Sequence, residues 1–253
     1  MHSIAVAAIV LACTFGGALL GIRSRLALPA HHLNQDSKEL VQLCMGLIAT
    51  LTALVLGLIT ASAKEAYDAQ GGALRSVAAG ILVLDRTLER FGPEADPVRA
   101  QIRVAVTHRL DMNWLEAQSA DEHVVAPPEV PTPDQIEDSI LDLKPKDDRQ
   151  RWLQSQALDV TVDVLKTRWL ALAAASNSVP VPFLVVIVFW LTALFWSFGL
   201  FAPDNRTITA VLLLASASVA ASVLLILEMQ SPFSGLMRIS GAPMQYVLEH
   251  LSR

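Results

Sequence analysis

Charge is scarce in this chain. Asp, Glu, Lys and Arg make up 17% of its 253 residues, and the balance leans acidic, 24 against 19, for a formal charge of −5. A surface of that sign offers nothing to a phosphate backbone, so nucleic-acid binding is excluded. Cysteine is nearly absent. Cys13 and Cys44 each fall inside an apolar run, where a bridge would need adjacent helices at matching depth, so they read as small buried residues and not as a disulfide framework. The six histidines, His2, His31, His32, His108, His123 and His250, are scattered. The adjacent pair His31-His32 has only Asp36 near it as a hard ligand, and a solvated turn is the plainer reading. No Ser/His/Asp or Cys/His grouping, metal-ligand motif or phosphate-cradling glycine loop is present, so no enzyme, cofactor or metal is expected.

What the chain has in abundance is apolar length. Hydrophobic residues are 53% of the total and the mean hydropathy is +0.46, too apolar for an ordinary soluble protein. Uncharged runs at about 4–22, 43–63, 182–201 and 208–227 each reach the roughly 20 residues needed to cross a hydrocarbon core. The segment Val10-Leu-Ala-Cys13 faintly resembles a lipoprotein cleavage box. However, Met1-His2-Ser3 is not a basic leader, Leu11 is too bulky and the run stays apolar to Ile22, so a retained first span is expected. The fold class is therefore all-α, an integral membrane protein with four transmembrane helices and a central helical soluble domain. Residues 1–63 form the first helix pair, 64–180 the soluble domain, 181–228 the second pair and 229–253 a tail along the membrane surface.

The second span carries two adjoining stripes. Ala49, Ala53, Gly57 and Ala61 recur every fourth residue and make a face bare enough for close helix packing. Beside it run Thr50, Leu54, Leu58 and Ser62, a row suited to a pore, a neighbouring helix or lipid. Beyond it Leu74, Val77, Ile81, Leu84, Leu88 and Phe91 continue at spacings of three and four, so the helix is expected to run on as a stalk, with Gly71-Gly72 as its bend, and to stop at Gly92-Pro93.

The stretch 64–180 holds 13 of the 19 basic and 19 of the 24 acidic residues, which marks it as the water-exposed domain. A helix from about 96 to 118 and a proline-rich loop over 126–133 are expected there. Thr132-Pro-Asp-Gln135 is a capping box that opens a short helix. A long helix over about 147–176, with a seam of Leu158, Val162, Leu165, Trp169 and Leu172, should pack antiparallel to the stalk. Rings crowd the third span, where lipid contact accounts for them better than ligand stacking. In the fourth, Thr207 is read as the cap, and the small residues over 215–222 as a surface for the second span. Glu228, at the end of that span, is either the hydrated end of a helix or a group for ion passage or gating.

Gly46 to Lys64, Leu84-Asp-Arg86, and Ile226 to Gly235 followed by Arg238-Ile-Ser240 resemble the bestrophin-like family of bacterial membrane proteins. The resemblance implies an oligomer, pentameric as bestrophins are, in the bacterial inner membrane, with small ions and the lipid bilayer as its partners and the central domain in the cytoplasm. In bestrophin channels a Phe-Val-Leu-Gly-Phe run on the second span, with an isoleucine four residues earlier, forms the pore neck. Leu54-Val-Leu-Gly-Leu58 is similar to it, with Thr50 at the isoleucine. The resemblance thus makes Thr50, Leu54, Leu58 and Ser62 pore-lining. Animal bestrophins follow Asn-Pro-Phe-Gly with calcium-clasping acids, whereas Ser231-Pro-Phe-Ser-Gly235 leads into Leu, Met and Arg, so no calcium site is expected. The other function class is a membrane-anchored scaffold or sensor whose helical domain binds a partner. Basic residues near the span ends, four on one side and five on the other, do not orient the chain.

Overall fold

The computed structural model describes residues 2–27, 35–111, 130–175, 181–203, 205–230 and 237–251. Every regular element among them is helical. In chain order these are α1 (His2–Ala27), α2 (Gln35–Phe91), a 3-10 turn (Pro93–Ala95), α3 (Asp96–Asp111), α4 (Pro133–Leu141), α5 (Asp148–Ala175), α6 (Val181–Phe201), α7 (Arg206–Met229) and α8 (Ala242–Leu251). Four of them, α1, α2, α6 and α7, are long and apolar enough to cross a membrane. The chain divides into two compact units. One is Met1–Glu65 with Ser178–Ser231; the other is Ala66–Asn177 with Pro232–Arg253. The pair His31-His32, His123, the proline-rich loop before Val130 and the motif at 231–235 lie outside the described residues, as does any extension of α3 past Asp111.

The first unit is held by backbone approach. A Cβ on Gly21 would stand 2.1 Å from the Trp196 carbonyl oxygen, and one on Gly199 would stand 2.0 Å from that of Ala18. Gly17 meets Thr192 in the same way at 2.9 Å. Glycine at all three positions lets α1 and α6 touch backbone to backbone and run parallel, the small-residue packing that apolar surroundings favour. Arg25, at the end of α1, donates from Nη1 to the Ala202 carbonyl at 2.7 Å, satisfying an acceptor left at the end of α6. On the other side α7 runs antiparallel to α1, with Ala220 and Val223 against Val10 and Leu212 near Ala18. Its small residues Ser216 and Ala220 are thus buried on this side. The expected use of the 215–222 surface against the second span gives way here to packing on the first. The cap of α7 is Asn205, whose side chain accepts from the Thr207 amide at 3.0 Å; Thr207 supplies the N–H and not the cap.

In the second unit, α2 stays helical through Gly71 and Gly72 and ends at Phe91. Gly92 follows at φ 125°, ψ −177°, a region open in practice to glycine alone, and Pro93 then starts the 3-10 turn. Leu74, Leu84, Leu88 and Phe91 are buried as the stalk seam required. They pack with Val98, Ile102 and Val106 of α3, Ile136 and Ile140 of α4, and Leu153 and Ala157 of α5. The capping box closes in both directions, Thr132 N–H to Gln135 Oε1 at 2.8 Å and Gln135 N–H to Thr132 Oγ1 at 3.3 Å.

Helices α2 and α5 are antiparallel, joined at one end by Gln150 Nε2 donating to the Phe91 carbonyl at 2.9 Å. Farther along, a Cβ on Gly80 would lie 2.4 Å from Val164 Cγ2. Glycine at position 80 leaves the room that Val164 occupies, and the seam of α5 is rotated from the expected one. Leu153, Ala157 and Thr161 face inward, whereas Val162 is 51% and Trp169 60% exposed. The tail joins this core as well: α8 buries Met244, Val247 and Leu251 in it, and Arg103 donates to the Leu251 carbonyl.

One ion pair crosses this core. Arg99 of α3 grips Asp85 of α2 with Nε at 2.8 Å from Oδ1 and Nη2 at 3.1 Å from Oδ2. The hydrogen-bonded Asp85 carboxylate holds the Arg99 guanidinium above its ordinary pKa, against the opposing effect of burial. Removing one partner of such a pair strands the other charge. Asp85→Ala should cost about 3 kcal/mol and lower the thermal unfolding midpoint of the purified protein. The double change Asp85→Leu with Arg99→Met should recover most of it. An unchanged midpoint in the single variant would refute the assignment.

Candidate functional site

The candidate site is the outer face of α2 within the first unit. At 100° per residue, Met45, Thr52, Ala63 and their neighbours share one side. Thr52 and Ala63 are 3% and 4% exposed, and Met45, Gly46 and Ala49 face Ser197, Phe201 and Leu212 of α6 and α7 across a groove. Leu54 and Leu58 stand on the opposite side, 70% and 71% exposed. Over the most apolar stretch of α2 only 6% of the residues are buried, against 28–39% for the other three spans. A single copy of the chain therefore leaves this helix almost bare.

The two stripes do not behave as units, because four-residue steps advance about 40° each and drift round the helix. Ala49 is half-buried and faces the groove within its own chain, while Ala53, Gly57 and Ala61 are exposed. A Cβ on Gly57 would meet nothing within 4 Å. In the other row all four residues are exposed, with Leu54 and Leu58 nearest its centre and Ser62 farthest round. Leu43 and Leu47 fall on the same outward side and are 74% and 64% exposed. They continue the leucine stripe toward the start of the helix, beyond Thr50. Their signal in the sequence is the spacing 43, 47, 54, 58, which follows the helical pitch and which a strict step of four from Thr50 passes over.

Thr50 is less polar than its residue type implies. Its hydroxyl lies 3.1 Å from the Gly46 carbonyl and 2.8 Å from that of Leu47, so its proton is committed to its own helix and only oxygen lone pairs remain outward. Glu228 is not on this face. It lies on α7, is 4% exposed rather than hydrated, and is not without an interaction partner. Among the described residues no three His, Cys, Asp or Glu side chains gather as a metal site.

A bestrophin-like domain matches residues 12–244. The chain belongs to the bestrophin-like family. Neither the curated proteins nor the solved structures contain a match. The bestrophin-like assignment spans both units, and the all-helical architecture with four membrane-length helices agrees with it.

The exposed and the enclosed glycines make opposite predictions. Gly57→Leu places its side chain in open space, so it should leave the unfolding midpoint of the dispersed single chain nearly unchanged. Gly199→Leu must push α1 from α6 and should lower it by many degrees. Equal destabilisation by the two, measured in detergent that disperses oligomers, would contradict this placement.

Proposed function

We propose that this bestrophin-like chain is a subunit of a homo-oligomeric ion channel in the bacterial inner membrane, with α2 lining the pore. The observation that carries the reading is the bare outer face of α2, a leucine stripe flanked by Ala53, Gly57 and Ala61, on the one span that its own subunit scarcely covers. Copies gathered round an axis, five on the bestrophin pattern, would bring the small flank of each helix against the next and turn Leu54 and Leu58 inward together. Two rings of leucine form an apolar constriction that water leaves readily, and such a neck gates by dewetting. Thr50 and Ser62 would line the ends of that neck, Thr50 with lone pairs alone. Glu228, a buried carboxylate at the end of a span, is a group for gating or ion passage. The work proposed is passage of small ions and not catalysis.

Within one subunit α1 and α6 run parallel and α7 opposes them. Four alternating crossings would then place the N-terminal residues, residues 66–177 and residues after 230 on one side, which we assign to the cytoplasm.

A second reading, a scaffold or sensor, draws support from α5, where Val162, Trp169 and Leu170 are exposed although α5 also contributes to a core. There the leucines of α2 would meet only lipid or protein. Liposome flux decides between the two. Leu54→Ala and Leu58→Ala should widen the neck and raise ion leak several-fold over wild type, whereas flux unchanged in folded variants would remove this row as the neck. Orientation has its own measurement: a reporter fused after Val130 should be active only as a cytoplasmic enzyme, and periplasmic activity would reverse the assignment.

A further inference from the structure

The groove of the first unit, between the start of α2 and the neighbouring ends of α6 and α7, is used by neither reading. Met45, Ala49, Phe201 and Leu212 are among its apolar walls, and Lys38 stands at its outer end. At 1.5 Å per residue, Lys38 to Ala49 covers about 16 Å, half of the roughly 30 Å hydrocarbon core, so the groove spans one leaflet. The space inside it is about 420 Å³. A helix about 10 Å across would need on the order of 1,300 Å³ over that length, so a second copy of the chain covers the mouth at most. The polar side chains of the wall lack partners. Ser197 is 3% exposed, and its hydroxyl makes no hydrogen bond among the described residues, although Thr192 on the same helix donates to the Val188 carbonyl at 2.7 Å. Lys38 is half-buried and likewise has no ion pair or hydrogen bond among them, and Gln42 lies one turn along from it.

Left empty, such a groove forfeits van der Waals contact along its lining, and a hydroxyl buried in it without a partner costs more. A phospholipid meets both deficits. One tail lies along Met45, Ala49 and Leu212, an ester carbonyl accepts from Ser197, and the phosphate accepts from Lys38. The depths agree: Ser197 is four residues, about 6 Å, inside the Phe201 end of α6, where the esters of a lipid lie when its phosphate is at the level of the helix ends. The charge selects the head. A choline or ethanolamine head brings its own cation beside Lys38, whereas a glycerol head leaves the phosphate charge to the lysine. The leucine stripe of another copy would bring Lys38 no carboxylate at all. We propose that this groove is a binding site for one anionic phospholipid, with its phosphate on Lys38 and an ester carbonyl on Ser197. The site lies on the other side of α2 from Leu54 and Leu58, so the proposal stands or falls independently of ion conduction.

The test uses the full-length protein in phosphatidylcholine nanodiscs doped with a phospholipid that carries a photoreactive diazirine on one tail and either a phosphoglycerol or a phosphocholine head. Adducts are located residue by residue by mass spectrometry. The glycerol-headed probe should label Met45 and Leu212 about ten-fold more than the choline-headed one, the effect of one charged hydrogen bond. At Leu214, exposed on another side of α7, the two probes should label alike. Lys38→Gln should bring labelling in the groove down to the choline level and leave the unfolding midpoint in place, since the lysine has no partner in the protein to lose. Ser197→Ala should lower labelling by both probes several-fold, because both carry the ester, and Ala49→Trp, which fills the groove, should abolish it. Equal labelling of the groove by the two probes in wild type would overturn the proposal. So would a preference that survives Lys38→Gln, and so would a groove unlabelled by either probe in folded protein, the result expected if a second copy or α2 itself closes it.

Discussion

In hydrocarbon, one apolar helix gains nothing by leaving lipid for another unless the two approach closely enough for their atoms to touch along their length. The contact of α1 with α6 meets that constraint with three glycines, Gly17, Gly21 and Gly199, each at a point where a single added carbon would enter the neighbouring backbone. Much else in the first unit follows from it. The parallel pair brings Arg25 to the open end of α6 and leaves the opposite side of α1 for the small residues of α7. With α1, α6 and α7 satisfied by one another, α2 is the span left with a free face.

The two units are held by different physics. In the helical unit the seam of α2, the core of α3 and the ends of α4 and α8 are driven together by removal of apolar area from water, at about 25 cal/mol per Å². Polar groups there mend the ends of elements. Gln150 caps α2 at Phe91, and Gln154 donates to the Ile140 and Leu143 carbonyls at 2.8 and 2.9 Å where α4 stops. Arg99 and Arg168 show what an arginine does in such surroundings. One is matched by Asp85 and ties two helices together; the other, among the described residues, has the field of Asp134 and no ion pair.

Spans, stalk and capping box were legible because each rests on a local rule: uncharged length, three-and-four spacing, and a side chain returning to its own helix start. Gly92 was legible for the same reason, as glycine before proline. What could not be read was which side of a helix faces which neighbour. Helix α5 carries apolar residues on more than one side, and its inward side is the one that sets Val164 against the bare backbone of Gly80. The glycines of α1 form no regular stripe like that at 49–61, yet they are where backbones meet, while Gly57 stands in open space. The leucine row was found, but its extension to Leu43 and Leu47 follows the real helical pitch and not a fixed step of four. Glu228 illustrates the converse: a charged residue at a span end suggests water, and burial by its neighbours overrides it.

The place of α8 has a consequence for how the protein is made. Met244, Val247 and Leu251 complete a core whose other walls are encoded between Leu74 and Ala157, and the two are separated in the chain by α6 and α7. Translation proceeds from the N-terminus at about 5–20 residues per second, so the walls emerge well before the closing helix. In the interval the membrane must accept two more helices while the partial core keeps its apolar side uncovered. Maturation of the helical unit is thereby coupled to successful insertion of the last span, and a chain stalled during insertion would present to chaperones and proteases the surface that α8 ordinarily hides.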